Sequence, residues 1–297
     1  MTATTPLLTY TVPKRRHPVI AFTIAQPLGA FSFVVIVVII GAGVFAPWVA
    51  PHNPVAVDFG AMLAAPDVAH PMGTDAFGRD ILTRIIYGAR TALTIGFLSS
   101  FIGCTVGAAI GVASAYFGGK TDMVVQGFID VVLSFPLIVL ALVVVAMLGK
   151  FIVFGVDVNL IVAIAIPIFP KVERVIRAAA LTVRAMPYVD AARAAGYSHL
   201  RIIFRHMAPN VAAPYLIMLT AYIAQAILLE ASLSFLGLGV TEPTPAWGLM
   251  LAGNASDFYR EAPWMILFPG LAISFAVFAF NLFGDSLRDW FDPRFKV

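Results

Sequence analysis

Charge is what this sequence has least of. Asp, Glu, Lys and Arg make up 12% of its 297 residues, where a soluble domain carries about 25%. Cysteine is almost missing as well. Cys104 stands alone inside an apolar run, which excludes an intrachain disulfide and a cysteine-based metal cluster. The five histidines, at 17, 52, 70, 199 and 206, show no ligand spacing such as His-Glu-x-x-His, so no metal ligands are assigned. No apolar run holds a paired Ser and His, a histidine cluster or paired carboxylates, which argues against an intramembrane enzyme.

What the chain does have is apolar surface. Hydrophobic residues account for 60% of it and the mean hydropathy is +0.92, values that fit a polytopic membrane protein. A net charge of +3 does not point to nucleic acid, because membrane proteins gather Lys and Arg in cytoplasmic loops. Membrane lipid is the expected environment, and nucleic acid is not an expected partner.

A helix needs about 20 apolar residues to cross the hydrocarbon core. Six segments qualify, at 28–49, 91–117, 123–148, 158–178, 211–237 and 263–285. None alternates as a barrel strand would, so the expected fold is all-α with six transmembrane helices. The first run begins late and is long enough to span, which predicts an uncleaved anchor. With the N-terminus inside, the inner segments hold fourteen Lys and Arg against five outside. Both termini, as segments 1–27 and 286–297, and the loop 179–210 are thereby expected in the cytoplasm, with loops 50–90 and 238–262 outside.

Within the second span, Gly103, Gly107 and Gly111 recur every four residues, with Ser99 and Ala115 extending the stripe. Such a face lets another helix backbone approach closely. Two carboxylates, Asp130 and Glu230, fall well inside spans, and no in-span cation is evident for either. A buried acid is costly, so each is a candidate for the pathway or for a satisfied structural role. The stretch "SAYFGGKT" (114–121) nearly matches the phosphate-binding loop, but Ser114 replaces the first Gly and an apolar helix precedes it instead of a strand. Gly118 and Gly119 read better as a C-cap, with Lys120 complementing the helix dipole.

The segment "YVDAARAAGYSHLRIIFRHMAPN" (188–210) is basic and alanine-rich between two apolar runs. Pro187 suits a first helical position, Gly196 a left-handed stop and Ser198 the N-cap of a second helix ending at Pro209. The result is a helix–Gly–helix element whose alanine face offers bare backbone to a groove in another protein, rimmed by Arg184, Arg193, Arg201 and Arg205. The alternative is an amphipathic helix on the inner leaflet, but its first helix lacks bulky apolar side chains after Tyr188 and Val189.

"DAARAAG", followed thirteen residues after Gly196 by Pro209, resembles the cytoplasmic loop of permease subunits in bacterial ABC importers. Together with "HPMGTDAFGRDILTRIIYGARTAL" (70–93), "LLEASLSFLGLGV" (228–240), "PTPAWGLML" (243–251) and "FNLFGDSLRDWFDPR" (280–294), it resembles the second permease of the dipeptide/oligopeptide (Dpp/Opp) family over nearly the whole chain. Asp190 stands where that family usually has Glu, and Ala208 where Leu is common before the proline.

The resemblance implies the type I importer permease fold and a location in the bacterial inner membrane. It also implies a second homologous permease, one or two ATPase subunits that hold ATP and Mg²⁺, and a periplasmic or lipid-anchored binding protein. Asp190, Ala191, Ala192, Arg193, Gly196 and Pro209 would form the surface that couples to the ATPase, and the outside segments would meet the binding protein. No cofactor is expected in this chain. The rival reading is a self-contained, ion-coupled carrier, for which the sequence offers only Asp130 and Glu230.

Overall fold

The computed structural model describes residues 18–153 and 155–291. Lys14, Arg15 and Arg16 of the expected inner N-terminal segment, and Arg294 and Lys296 of the tail, lie outside the described residues.

The described residues begin with helices α1 (Pro18–Ala25), α2 (Pro27–Val44) and the single turn α3 (Ala46–Val49). Residues 50–80 then form an irregular segment that ends at α4 (Ile81–Phe117). Asp80 fixes that start, its carboxylate accepting from the Thr83 backbone N–H at 2.7 Å as an N-cap does. The second span therefore begins ten residues before the expected 91. Arg84 and Arg90 interrupt the apolar run there, yet the Arg84 side chain is only 1% exposed.

After Gly118 come α5 (Gly119–Leu133) and α6 (Leu137–Leu148), bent by 90° across the break between them. The expected straight span at 123–148 is thus corrected to a broken one. Pro136 has no N–H to continue the helix, and Ser134 turns its hydroxyl to the Val131 carbonyl at 2.7 Å.

A two-residue hairpin, β1 (Ile152–Val153) with β2 (Val156–Asp157), leads into α7 (Val158–Arg184). α7 carries Pro167 and Pro170 in its interior and Lys171, Glu173 and Arg174 along its length. Among the described residues, four helical stretches are long and apolar enough to cross a membrane, or five with the bent pair. The expected count of six is not reached, because charge takes α7 below that standard.

Helix α4 is the spine. It packs along α7 on one side and α10 (Ala212–Phe235) on another, while α13 (Trp264–Phe291) joins α10 to α2. A Cβ on Gly103 would lie 2.9 Å from the Ala165 carbonyl oxygen, on Gly107 2.4 Å from that of Phe169, and on Gly111 2.7 Å from that of Glu173. The three glycines face α7 backbone, and the approach exists because side chains are missing there. Outward, Leu28, Phe31, Val34 and Val38 of α2 are exposed, an arrangement that suits lipid and not water.

Beyond α10, the short helices α11 (Trp247–Met250) and α12 (Asn254–Asp257) lie in the connection to α13. That connection folds against residues 50–80 at one end of the bundle. The Trp264 indole donates to the Thr74 carbonyl at 3.0 Å and the Trp247 indole to that of Ile85 at 3.0 Å. Arg79 bridges Asp75 and Glu242, at 2.6 Å to each. The opposite end carries α8 (Pro187–Ala194) and α9 (His199–Ile202).

Candidate functional site: an exposed helical hairpin

Chain direction reverses between α7 and α10 by local rules. Pro187 occupies the first turn of α8, where its missing N–H costs nothing, and Asp190 places negative charge in that same turn. The helix stops because Gly196 takes φ +74°, a left-handed conformation that costs other L-residues roughly 1–2 kcal/mol. Gly196 N–H then donates to the Arg193 carbonyl at 2.9 Å and Tyr197 N–H to that of Ala192 at 3.2 Å. These two bonds satisfy the end of α8 in a Schellman motif.

The next helix starts at Ser198, whose hydroxyl accepts from the Arg201 N–H at 3.4 Å. It does not end at Pro209 as expected. A π turn over Ile203–Met207 and a 3₁₀ turn over Ala208–Val211 carry the chain directly into α10. Pro209 supplies no N–H and would clash with the carbonyl four residues back. The wide turn before it, closed by Ala208 N–H on the Ile203 carbonyl, accommodates the ring without stopping the helix.

Asp190, Ala191, Arg193, Ala194, Ala195 and Gly196 are exposed, whereas Val189 and Ala192 are buried against the bundle. Ala192 thus faces this chain's own core and stands apart from the outer surface expected for it. Among the described residues, nothing lies within 4 Å of a Cβ built on Gly196.

The hairpin is latched to the end of α4. Arg184 donates to the Ala115 carbonyl at 2.8 Å, the Tyr116 hydroxyl meets His199 Nδ1 at 2.7 Å, and Arg193 lies 5.1 Å over the Tyr116 ring. Arg184 is therefore not a free rim charge. It supplies at the α4 C-terminus the cation expected from Lys120. Gly118 makes room for it, since a Cβ there would lie 2.6 Å from Arg184 Nη1.

The two acids expected inside spans stand apart from this surface. Asp130, more than half exposed, is ion-paired with Arg174 of α7, so it has the cationic partner that the sequence did not reveal. Glu230 is fully buried. It accepts from the Ser234 hydroxyl at 2.7 Å through Oε1, while Oε2 has no partner among the described residues. Sequence reasoning missed a third acid. Glu173 of α7 is 0% exposed, accepts from Gln126 Nε2 at 2.8 Å and, among the described residues, leaves Oε2 unpaired. Its place among Lys171, Arg174 and Arg177 made it look like the end of a span. Beside it, Arg177 grips Asp122 with two nitrogens, Nε at 2.6 Å.

At the opposite end, a cavity of about 440 Å³ is bounded by Tyr87, Arg90, Thr91, Lys150, Asp157 and Thr244. There too, one nitrogen each of His52 and His70 and an Asp80 carboxylate oxygen lie within 4.8 Å of one another. Their separations in sequence, 18 and 10 residues, match no ligand spacing, so only the fold reveals them.

A family model for binding-protein-dependent transport system inner membrane components matches residues 103–297. A model for the N-terminal transmembrane domain of oligopeptide transport permease C matches residues 24–66. A putative peptide transport system permease protein of Brucella suis is 41% identical over 266 residues, covering 90% of this chain and 88% of its own. The dipeptide transport permease DppC of Alkalihalophilus pseudofirmus is 38% identical, covering 91% and 86%. The glutathione transport permease GsiD of an Escherichia coli strain is 37% identical, covering 90% and 86%. In fold, the chain is similar to one in the inward-facing MetNI methionine ABC transporter, with TM-score 0.54 at 16% identity, covering 71% of this chain and 97% of that one. By the first of these matches and by its relatives, the chain belongs to the binding-protein-dependent transport system inner membrane components, as a permease of the peptide-transport kind.

Proposed function

We propose that this chain lines half of the translocation pathway of an ATP-driven importer for peptides or related small solutes, paired with a second, homologous permease. The observation that carries the coupling role is the exposed α8 with its Gly196 turn, latched to α4 and continuous with α10. A partner groove closing on Ala191, Ala194, Ala195 and Gly196 would meet almost no side-chain bulk, with Asp190 and Arg193 at its edge. A push on the hairpin would reach both α4 and α10.

In this reading the hairpin end is cytoplasmic, which agrees with the excess of Lys and Arg on that side. One or two ATPase subunits dock there and hold ATP and Mg²⁺. A periplasmic or lipid-anchored binding protein meets the other end, where residues 50–80 and 236–263 interlock. The cavity near Arg90, Lys150 and Asp157 offers both signs of charge, as suits a zwitterionic peptide. Peptides appear in the names of relatives, and that is what supports the substrate class. The self-contained carrier is the weaker reading, because Asp130 is paired with Arg174.

The test is mild-detergent purification of the chain from native membranes. Recovery of a second permease and ATPase subunits with the unaltered chain, and loss of the ATPases from Gly196→Arg, is the expected result. A chain that purifies alone and transports in vesicles without ATP would overturn the proposal.

A further inference from the structure

Three parts of the chain meet at the loop-rich end. His52 follows α3, His70 lies in the middle of the irregular segment, and Asp80 caps α4. His70 Nδ1 lies 3.0 Å from Asp80 Oδ1, and the His52 and His70 rings sit with centroids 4.8 Å apart. Asp80 is almost fully buried, with a side chain 1% exposed, and His70 is 19% exposed. His52 lies at the surface.

Asp80 and His52 are each held by a second contact. Asp80 Oδ2 accepts from Thr83 N–H, which leaves Oδ1 directed at His70. His52 Nε2 is 3.0 Å from the Ala69 carbonyl; a carbonyl only accepts, so Nε2 carries the proton and Nδ1 keeps its lone pair. Imidazoles and carboxylates oriented in this way by outer hydrogen bonds are the usual surroundings of a bound transition ion.

From this geometry we infer that His52, His70 and Asp80 form a binding site for a divalent transition-metal ion of the imidazole-preferring class, zinc foremost. Two histidines and a carboxylate match that class of ion. Ligands about 2.0 Å from a tetrahedral ion lie about 3.3 Å from one another, close to the 3.0 Å between His70 Nδ1 and Asp80 Oδ1. The ion replaces the proton between these two atoms, and the neutral His70 ring then carries its proton on Nε2. His52, on the open side, closes over the ion as the third ligand, and water completes the shell. The chemistry differs from that of the nearby Arg79–Glu242 bridge, where both partners are already satisfied. Bound metal ties residue 52, residue 70 and the start of α4 into one unit.

The experiment uses the full chain, carried on a tag without histidine and reconstituted in lipid nanodiscs, titrated with cobalt(II) chloride. The expected outcome is one cobalt per chain with the intense visible bands of a four- or five-coordinate ion, abolished by zinc chloride. His52→Ala and His70→Ala each weaken binding by at least about tenfold. His52→Ala leaves the Asp80 cap and every helix intact, so its loss of binding does not report misfolding. Asp80→Asn, which keeps an N-cap, also weakens binding. Either of two outcomes overturns the site: the unaltered chain gives only the pale spectrum of the hydrated ion, or both histidine variants bind cobalt as tightly as it does. The readout needs no transport and no partner, so it stands or falls independently of the importer reading.

Discussion

At Gly196, one backbone angle stops α8, and the space beyond it is open. Two demands meet there, and substitutions separate them. Asn tolerates the left-handed conformation, so Gly196→Asn should keep most ATP-dependent uptake. Gly196→Arg adds a long charged side chain to the face that the alanines keep bare, and uptake should fall to background while the protein still reaches the membrane. Uptake in vesicles alongside an immunoblot of membranes measures both. At the other end, Arg90→Ala removes a cation from the cavity it shares with Lys150 and Asp157. The expected effect is a KM for peptide raised several-fold with kcat nearly unchanged, read from initial uptake rates.

At the scale of helices, the glycine face of α4 fixes its distance from α7. Gly107→Val would drive a branched side chain into the Phe169 carbonyl, 2.4 Å from where its Cβ must sit. Overpacking of this kind costs typically 1–3 kcal/mol, so the thermal midpoint in detergent should drop while Gly127→Val, in open space, leaves it unchanged. The latch makes a different prediction. Arg184→Ala frees the hairpin from the Ala115 carbonyl, and amide exchange over 187–207 should accelerate with little change in the bundle.

Sequence and structure part company at this scale. The Gly196 stop, the Pro187 start and the glycine face were legible, because each is a local consequence of one residue type at one spacing. The break at Pro136 was not, since averaged hydropathy runs straight across a proline. The early start of α4 was hidden by Arg84, which looks like loop until Pro54, Asp75 and Glu242 of the same chain close over it. Asp130 and Arg174 are 44 residues apart, and His52 and Asp80 are brought together by an irregular segment. No periodicity reports such pairings.

Taken whole, the molecule has two unlike ends joined by α4. One is interlocked by Arg79, which holds Asp75 and Glu242 at once. Arg79→Ala should loosen residues 50–80 from 236–263, seen as new protease cleavage there, without releasing the hairpin at the far end. The other end is a small projection on long helices. Under the proposed function this asymmetry has a use, since one end would meet a delivered solute while the other would respond to a motor.

The uninterrupted path from the hairpin into α10 sets an angular phase between the two. Helix runs from His199 to Phe235, 37 residues, about 55 Å at 1.5 Å per residue, with the π turn absorbing Pro209 instead of a slack loop. Rotation imposed at one end must then appear at the other, as along a crankshaft. One alanine inserted at position 208 would turn everything beyond by about 100°, misaligning Glu230 and its neighbours although no existing side chain has changed. Seven inserted residues, close to two full turns, would bring the phase back to within about 20° at the expense of reach. Transport lost with one and partly regained with seven would mean that torque, and not merely a tug, travels along this helix.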